Sequence, residues 1–307
     1  MTLEPDDRDA IDDLRARERA TRRATVPALE EVLYTPFAVL DHGFVRVVDY
    51  MGDDTAVVQA ARVSYGSGTK SVRSDAGLIR YLMRHRHTTP FEMCELKLHV
   101  KLPIFVARQW IRHRTANVNE YSARYSILDR EFYVPDTAAV AAQSSTNRQG
   151  RGDGLPPAAA GAVRGRMDAH ARAAFDLYDA LLAEGEDEDG GGVARELGRA
   201  VLPLSTYTQW YWKIDLHNLL HFVALRVDPH AQAEIRAYAA VLLDLVERWV
   251  PVTAAAFRDY RLEGASLSRG QLEAIRRRLR GEAVAADDVG LSAREWRELA
   301  TILGEDG

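Results

Sequence analysis

The stretch "ELKLHVKL", Glu95–Leu102, alternates apolar and polar residues without a break. Leu96, Leu98, Val100 and Leu102 point one way, and Glu95, Lys97, His99 and Lys101 the other. That period of two belongs to a half-buried strand. Pro103 follows, at a position where a helix tolerates proline as its first residue. "IFVARQWIRHR" (104–114) then reads as a helix. Upstream, "VRVVDY" (45–50) is rich in β-branched residues and reads as a second strand. "SDAGLIRYLMRHR" (74–86) reads as a helix capped by Ser74 or Asp75, with Leu78, Tyr81 and Leu82 on one face.

Downstream, "VRGRMDAHARAAFDLYDALLAEG" (163–185) has the pattern of one long helix. "VARELGRAVLPLSTYTQWYWKID" (193–215) gives a helix ending near Pro203 and then an aromatic-rich strand. "LHNLLHFVALRV" (216–227) and "PHAQAEIRAYAAVLLDLVERWV" (229–250) give two more helices. The second carries an apolar stripe of Ile235, Tyr238, Ala239, Leu242 and Val246. Residues 143–161 and the acidic, glycine-rich "GEDEDGGG" (185–192) read as loops. Residues 1–35 form a charged arm and 263–307 a charged extension, which leaves 36–262 as the main domain.

The chain has 307 residues, 47% of them hydrophobic, and a net charge of -5. That charge argues against a general nucleic-acid or membrane-surface binder. No apolar run approaches the roughly 18 residues of a membrane-spanning helix, and the charged N-terminal stretch lacks the apolar core of a secretory signal. The expectation is a cytoplasmic protein with no membrane partner. A single cysteine, Cys94, excludes an intrachain disulfide and a cysteine-rich metal site. By strand alternation Cys94 joins the apolar face, the place of a structural thiol.

Against this acidic balance, "RHRTANVNEYSARY" (112–125) gathers Arg112, His113, Arg114 and Arg124 around one carboxylate, Glu120. Guanidinium groups pair bidentately with phosphate or carboxylate. Asn117, Asn119, Ser122 and Tyr125 are groups that orient a ligand by hydrogen bonds. An anionic ligand such as a nucleotide is one reading, and a solvated basic face is the other. The segment "TANVNEYS" has neither helical nor strand periodicity. His217 and His221 share a helix face, which leaves open a metal-dependent hydrolase built on them and Asp215, although "HNLLH" lacks the glutamate of a zinc-protease motif. Arginines on nucleic-acid phosphates form another alternative. "YGSGTK" (65–70) lacks the spacing of a phosphate-binding loop, and Ser122 has no evident base.

The stretch resembles the signature of the flavin-dependent thymidylate synthases: Arg-His-Arg, seven residues, then Ser, here Arg112-His113-Arg114 and Ser122. "HRHTTPFEMCELKLHVKLPIFVARQWIRHR" (85–114), "RAVLPLSTYTQWYW" (199–212) and "LRVDPHAQAEIR" (225–236) are similar to further blocks of that family, over about residues 36–260. The resemblance implies an α+β fold, a mixed or antiparallel sheet packed with long helices, in a homotetramer with sites shared between subunits. It implies conversion of dUMP to dTMP with methylenetetrahydrofolate as carbon donor and NADPH-reduced FAD as hydride source. Gln109, Trp110, Ile111, Arg112, Glu120, Tyr121, Ser122, Ala123, Arg124, Arg199 and Arg226 would then bind dUMP. His87, Thr89, Arg112, His113, Arg114, Glu120, Asp215, Leu216, His217 and His221 would bind FAD. Arg226 would be the catalytic residue, activating the uracil by stabilising negative charge at N3 and O4. The resemblance calls for no metal and no cysteine nucleophile.

Overall fold

A computed structural model describes residues 5–63, 72–145, 150–183 and 192–305. "YGSGTK", nearly all of "GEDEDGGG" and residues 147–149 lie outside them. The strands are β1 (Phe37–Val39), β2 (Gly43–Met51), β3 (Glu95–Pro103), β4 (Asn117–Glu120), β5 (Ala141–Gln143), β6 (Arg151–Gly154) and β7 (Tyr207–Asp215). The helices of the first unit are α1 (Pro5–Arg15), α2 (Pro27–Glu30), α3 (Asp54–Val63), α4 (Val72–Arg84), α5 (Thr89–Glu92), α6 (Ile104–Trp110), α7 (Pro157–Ala183), α8 (Arg195–Gly198), α9 (Leu216–Arg226) and α10 (Ala233–Trp249). Then come α11 (Pro251–Phe257), α12 (Arg269–Leu279) and α13 (Ala293–Leu303). The chain divides into two compact units, Met1–Ala254 and Ala255–Gly307.

In the first unit a five-stranded sheet has the order β1-β2-β3-β7-β4, and every pairing within it is antiparallel. β3 lies at the centre. Its Leu96, Leu98, Val100 and Leu102 are fully buried, as the alternation predicts. β2 and β7 add Val45, Val47, Trp210, Trp212 and Ile214 to the same face. The stripe of α10 covers that face, with Ile235, Tyr238, Ala239, Leu242 and Val246 all at 0% exposure. Burying five such side chains contributes on the order of 1.5–3 kcal/mol for each large one. The contact between sheet and helix is close. Tyr238 donates to the Lys101 carbonyl at 2.8 Å, and a Cβ at Gly43 would stand 2.0 Å from the Tyr238 hydroxyl. Asp54 opens α3 and accepts from the Val252 and Thr253 amides, both at 2.8 Å.

Several local expectations are corrected. α4 begins at Val72, so Ser74 and Asp75 lie inside it rather than capping it. Its buried face is Ile79, Leu82 and Met83, and Tyr81 is exposed. Pro103 closes β3 and caps α6 instead of entering the helix. α6 stops at Trp110, so the Arg-His-Arg triplet lies in the turn beyond it. "NVNE" is a strand despite its lack of alternation. β4 is an edge strand whose four residues are all exposed, so the backbone ladder to β7 defines it without an apolar face. β5 and β6 form a small hairpin where a loop was expected.

The second unit holds α12 and α13. Each opens on a capping box, Ser268 with Gln271 and Ser292 with Glu295. Its small core joins Ala274, Leu291 and Leu299, and Arg278 stacks 4.7 Å over Trp296.

Candidate nucleotide and flavin site

β4 leads out of the sheet edge into "YSAR". Tyr121 still pairs with β7 through its amide to the Gln209 carbonyl, 2.8 Å. Glu120 is fixed by Thr208, whose hydroxyl donates to its carboxylate at 2.7 Å. Beyond them the chain turns, with the Tyr125 and Ser126 amides returning to the Ser122 carbonyl. This turn and the segment after α8 face a cavity of about 340 Å³ lined by Glu120, Tyr121, Ser122, Ala123, Arg199 and Thr208, among others. Five of the residues assigned to dUMP therefore meet in one cavity. Arg199 is held there because Val201 and Leu202 pack against a cluster of Phe132, Ala171, Phe175 and Tyr178, built on α7. Arg124 pairs with Glu196 at 3.1 Å, and both side chains are more than half exposed. Such a pair is worth at most about 1 kcal/mol, so a ligand phosphate can displace Glu196.

A second group gathers where α6 and α9 end. Arg226, the last residue of α9, donates from Nη2 to the Gln109 carbonyl at 3.2 Å. It thereby caps α6, whose final carbonyls lack intrahelical partners. The Arg226 Nε is buried and has no hydrogen-bond partner among the described residues. Buried donors of this kind are uncommon and mark a place for a further acceptor. Burial lowers the guanidinium below its ordinary range, yet arginine stays charged at any working pH. His113 packs beside it, 5.2 Å from the His221 ring and 4.9 Å from Phe222. Burial, then the charges of His221 and Arg226, bring the His113 imidazole down to about 4.

The remaining assigned residues are placed as follows. Trp110 is wholly buried among Trp210, Trp212, Phe222 and Tyr238, with ring centroids 4.6–6.0 Å away. Leu216 is equally buried, and its amide donates to the Cys94 carbonyl. Both side chains are core, so neither presents its side chain to a ligand in this chain. Ile111 is exposed. Asp215 is the N-cap of α9, accepting from the Asn218 amide at 2.9 Å and its side chain at 2.6 Å. That cap is a structural reason for a carboxylate there. His87 follows Arg86, whose φ of 59° turns the chain out of α4, and both His87 and Thr89 are exposed. Arg112 and Arg114 are exposed and make no ion pair or hydrogen bond among the described residues. The lining of the 340 Å³ cavity does not include Gln109, Arg112, Arg124 or Arg226. No cluster of three or more His, Cys, Asp or Glu able to hold a metal occurs among the described residues.

Sequence reasoning missed a polar network on the sheet's other face. Arg46 donates to His99 Nδ1 at 3.0 Å, and His99 Nε2 lies 2.9 Å from the Gln209 amide oxygen. An Arg donor fixes Nδ1 as acceptor, so the neutral tautomer carries its proton on Nε2. Burial, then Arg46, lowers this imidazole to about 4. His99 and His113 thus bind fewer protons in the folded than in the unfolded chain between about 4 and 6.5. Stability is expected to fall as pH drops through that window. Thermal unfolding from pH 7 to 5 should show the decline, and His99→Gln should flatten it.

The comparisons bear on this geometry. Residues 46–252 match the family described as "Thymidylate synthase complementing protein". A flavin-dependent thymidylate synthase of Gluconobacter oxydans is 62% identical over 303 residues, covering 99% of both chains. The chain belongs to the flavin-dependent thymidylate synthase family. A second relative of that description, from Ruegeria pomeroyi, is 59% identical over 99% of this chain and all of its own. Among solved structures, a UMP/dUMP methylase from Streptomyces cacaoi bound with 5-Br UMP is 35% identical with a TM-score of 0.65. It covers 73% of this chain and 97% of that one. Among the described residues no helix is long and apolar enough to cross a membrane. Membership in this synthase family also makes sense of Cys94. It is fully buried, and burial followed by the charges of Asp53 and Asp54 pushes its thiol up to about 12. A thiol so rarely ionised is a poor nucleophile. Cys94→Ala is expected to keep near-normal synthase activity, which a turnover assay on the purified variant checks.

Proposed function

We propose that the chain catalyses reductive methylation of dUMP to dTMP as a cytoplasmic homotetramer, with methylenetetrahydrofolate as carbon donor and tetrahydrofolate leaving unoxidised. The observation that carries the nucleotide reading is the cavity lined by Glu120, Tyr121, Ser122, Ala123 and Arg199. Arg124, once released from Glu196, adds a cation for the phosphate. Gln109, Arg112 and Arg226, with the backbone of Trp110 and Ile111, complete the binding set. They lie outside that cavity's lining, which favours sites assembled from more than one subunit. We assign this activity to residues 36–262, supported by the family match over 46–252.

Arg226 is the catalytic residue of this reading. Uracil C5 attacks the one-carbon unit when negative charge at N3 and O4 is stabilised. A half-buried guanidinium held through Nη2 on the Gln109 carbonyl suits that task. It acts by electrostatics rather than as a base. His113 stays neutral beside it, so no second charge competes for the ring.

The guanidinium groups of Arg112 and Arg114, unpaired among the described residues, fit the diphosphate of FAD, with His113 and Glu120 alongside. His87, Thr89, Asp215, Leu216, His217 and His221 would hold the rest, Leu216 through its backbone. When bound and reduced by NADPH, FAD supplies the hydride. The test is the visible absorption spectrum of purified protein before and after dUMP. Flavin bands that shift with dUMP, followed by dTMP formation, are expected. A colourless protein that takes up neither FAD nor dUMP overturns the reading. UMP belongs in the same titration because the Streptomyces cacaoi relative is bound with 5-Br UMP. Sedimentation as a flavin-loaded monomer would refute the shared site.

A further inference from the structure

Glu234 stands in the first turn of α10, 2% exposed, on the same face as Tyr238 and Leu242. A buried carboxylate is costly unless its oxygens are paired. Here Arg151 of β6 and Tyr133 Oη (3.1 Å) donate to Oε1, and Gln232 Nε2 donates to Oε2 at 2.8 Å. Burial alone would raise this carboxyl; the bonds from Arg151 and Gln232 bring it below its ordinary value. It is therefore an ionised group that accepts and never donates.

That polarity propagates. Gln232 caps the N-terminus of α10 and turns its NH₂ toward Glu234, so its amide oxygen must face the other way. That oxygen accepts from Gln109 Nε2. The Gln109 NH₂ is thereby committed, and its amide oxygen is left as an acceptor for something else. The Gln109 carbonyl, one residue's backbone away, receives Arg226 Nη2.

We propose that Glu234 and Gln232 are positioning residues for the nucleotide site, forming a carboxylate–amide relay that sets which way the Gln109 amide faces and steadies the carbonyl on which Arg226 rests. The proposal rests on the reading that Gln109 and Arg226 bind dUMP. It also gives the β5–β6 hairpin a role, because Arg151 ties that hairpin to the head of the relay. Tyr133, Arg151 and Glu234 line a separate cavity of about 430 Å³, whose lining does not include Gln109.

The test uses the flavin-loaded full chain and three variants: Gln109→Met, Gln232→Met and the double variant. Methionine keeps the length of the side chain and removes the amide. Gln232→Met keeps the Arg151 and Tyr133 bonds to Oε1 and removes only the donor to Oε2, so it costs less stability than a change at Glu234 itself and the variant still folds. Gln232→Met is expected to raise the dUMP KM about tenfold, with kcat less affected, the flavin spectrum unchanged and the unfolding temperature lowered only modestly by the lost bond to Glu234. Gln109→Met is expected to raise KM by at least as much, and the double variant should match Gln109→Met alone. A KM raised by Gln109→Met but not by Gln232→Met would overturn the relay while leaving the nucleotide site standing. Additive effects in the double variant would also overturn it. A KM unmoved by Gln109→Met would overturn the nucleotide reading, and the relay with it.

Discussion

Arg226→Ala is expected to lower dTMP formation by at least ~10²–10³-fold, the usual cost of removing a donor that stabilises charge developing in a transition state. The fold should survive. Arg226 is half-buried and makes one hydrogen bond among the described residues, to the Gln109 carbonyl, so the loss in stability is about 1 kcal/mol. Circular dichroism and the melting temperature should therefore stay near wild type while turnover collapses. Arg226→Lys should fall between the two. It restores the charge but not the planar fork, and it offers no donor at the buried Nε position. Near-normal turnover in Arg226→Ala would remove the proposed activation of uracil and return Arg226 to a helix-capping role.

Trp110→Ala should show the opposite pattern. The indole is fully buried and touches Trp210, Trp212, Phe222 and Tyr238. Truncating such a side chain costs about 3–5 kcal/mol, transfer and cavity terms together. At ~2–4 °C per kcal/mol for a domain of this size, the melting temperature should drop by roughly 6–20 °C. Activity at low temperature should fall less steeply than stability, because Trp110 holds the end of α6 rather than a ligand. A variant with wild-type melting behaviour and a raised dUMP KM would show instead that the indole itself is part of the binding surface.

The two residues also mark what was legible in the sequence. The central strand was plain because each alternate residue from Leu96 to Leu102 is buried, and one face of a sheet writes itself into a period of two. The α10 stripe was plain for the same reason at helical spacing. β4 was invisible because an edge strand with four exposed residues carries no burial pattern. That the Trp110 indole is core was not legible either, because position within a motif says nothing of which way a side chain points. Asp215, assigned to the flavin, turned out to cap α9, which a carboxylate just before "LHNL" could have signalled. Glu234 left a trace too. It sits four residues before Tyr238 on an otherwise apolar stripe, where a carboxylate requires buried partners. What those partners were could not be read, since Arg151, Tyr133 and Gln232 come from three separate parts of the chain.

Gly43 and Tyr238 have a consequence for how this fold can change over generations. The tyrosine hydroxyl occupies the space that any side chain at position 43 would need, and the same hydroxyl is bonded to the Lys101 carbonyl. A Cβ at 43 would also meet the Val39 and Lys101 carbonyl oxygens at 2.7 and 2.8 Å, so shortening the aromatic at 238 does not by itself admit one, and it forfeits the bond to the central strand. Position 43 is therefore closed by the backbone of two strands as well as by an aromatic 195 residues further along the chain, and a change at 238 alone cannot reopen it.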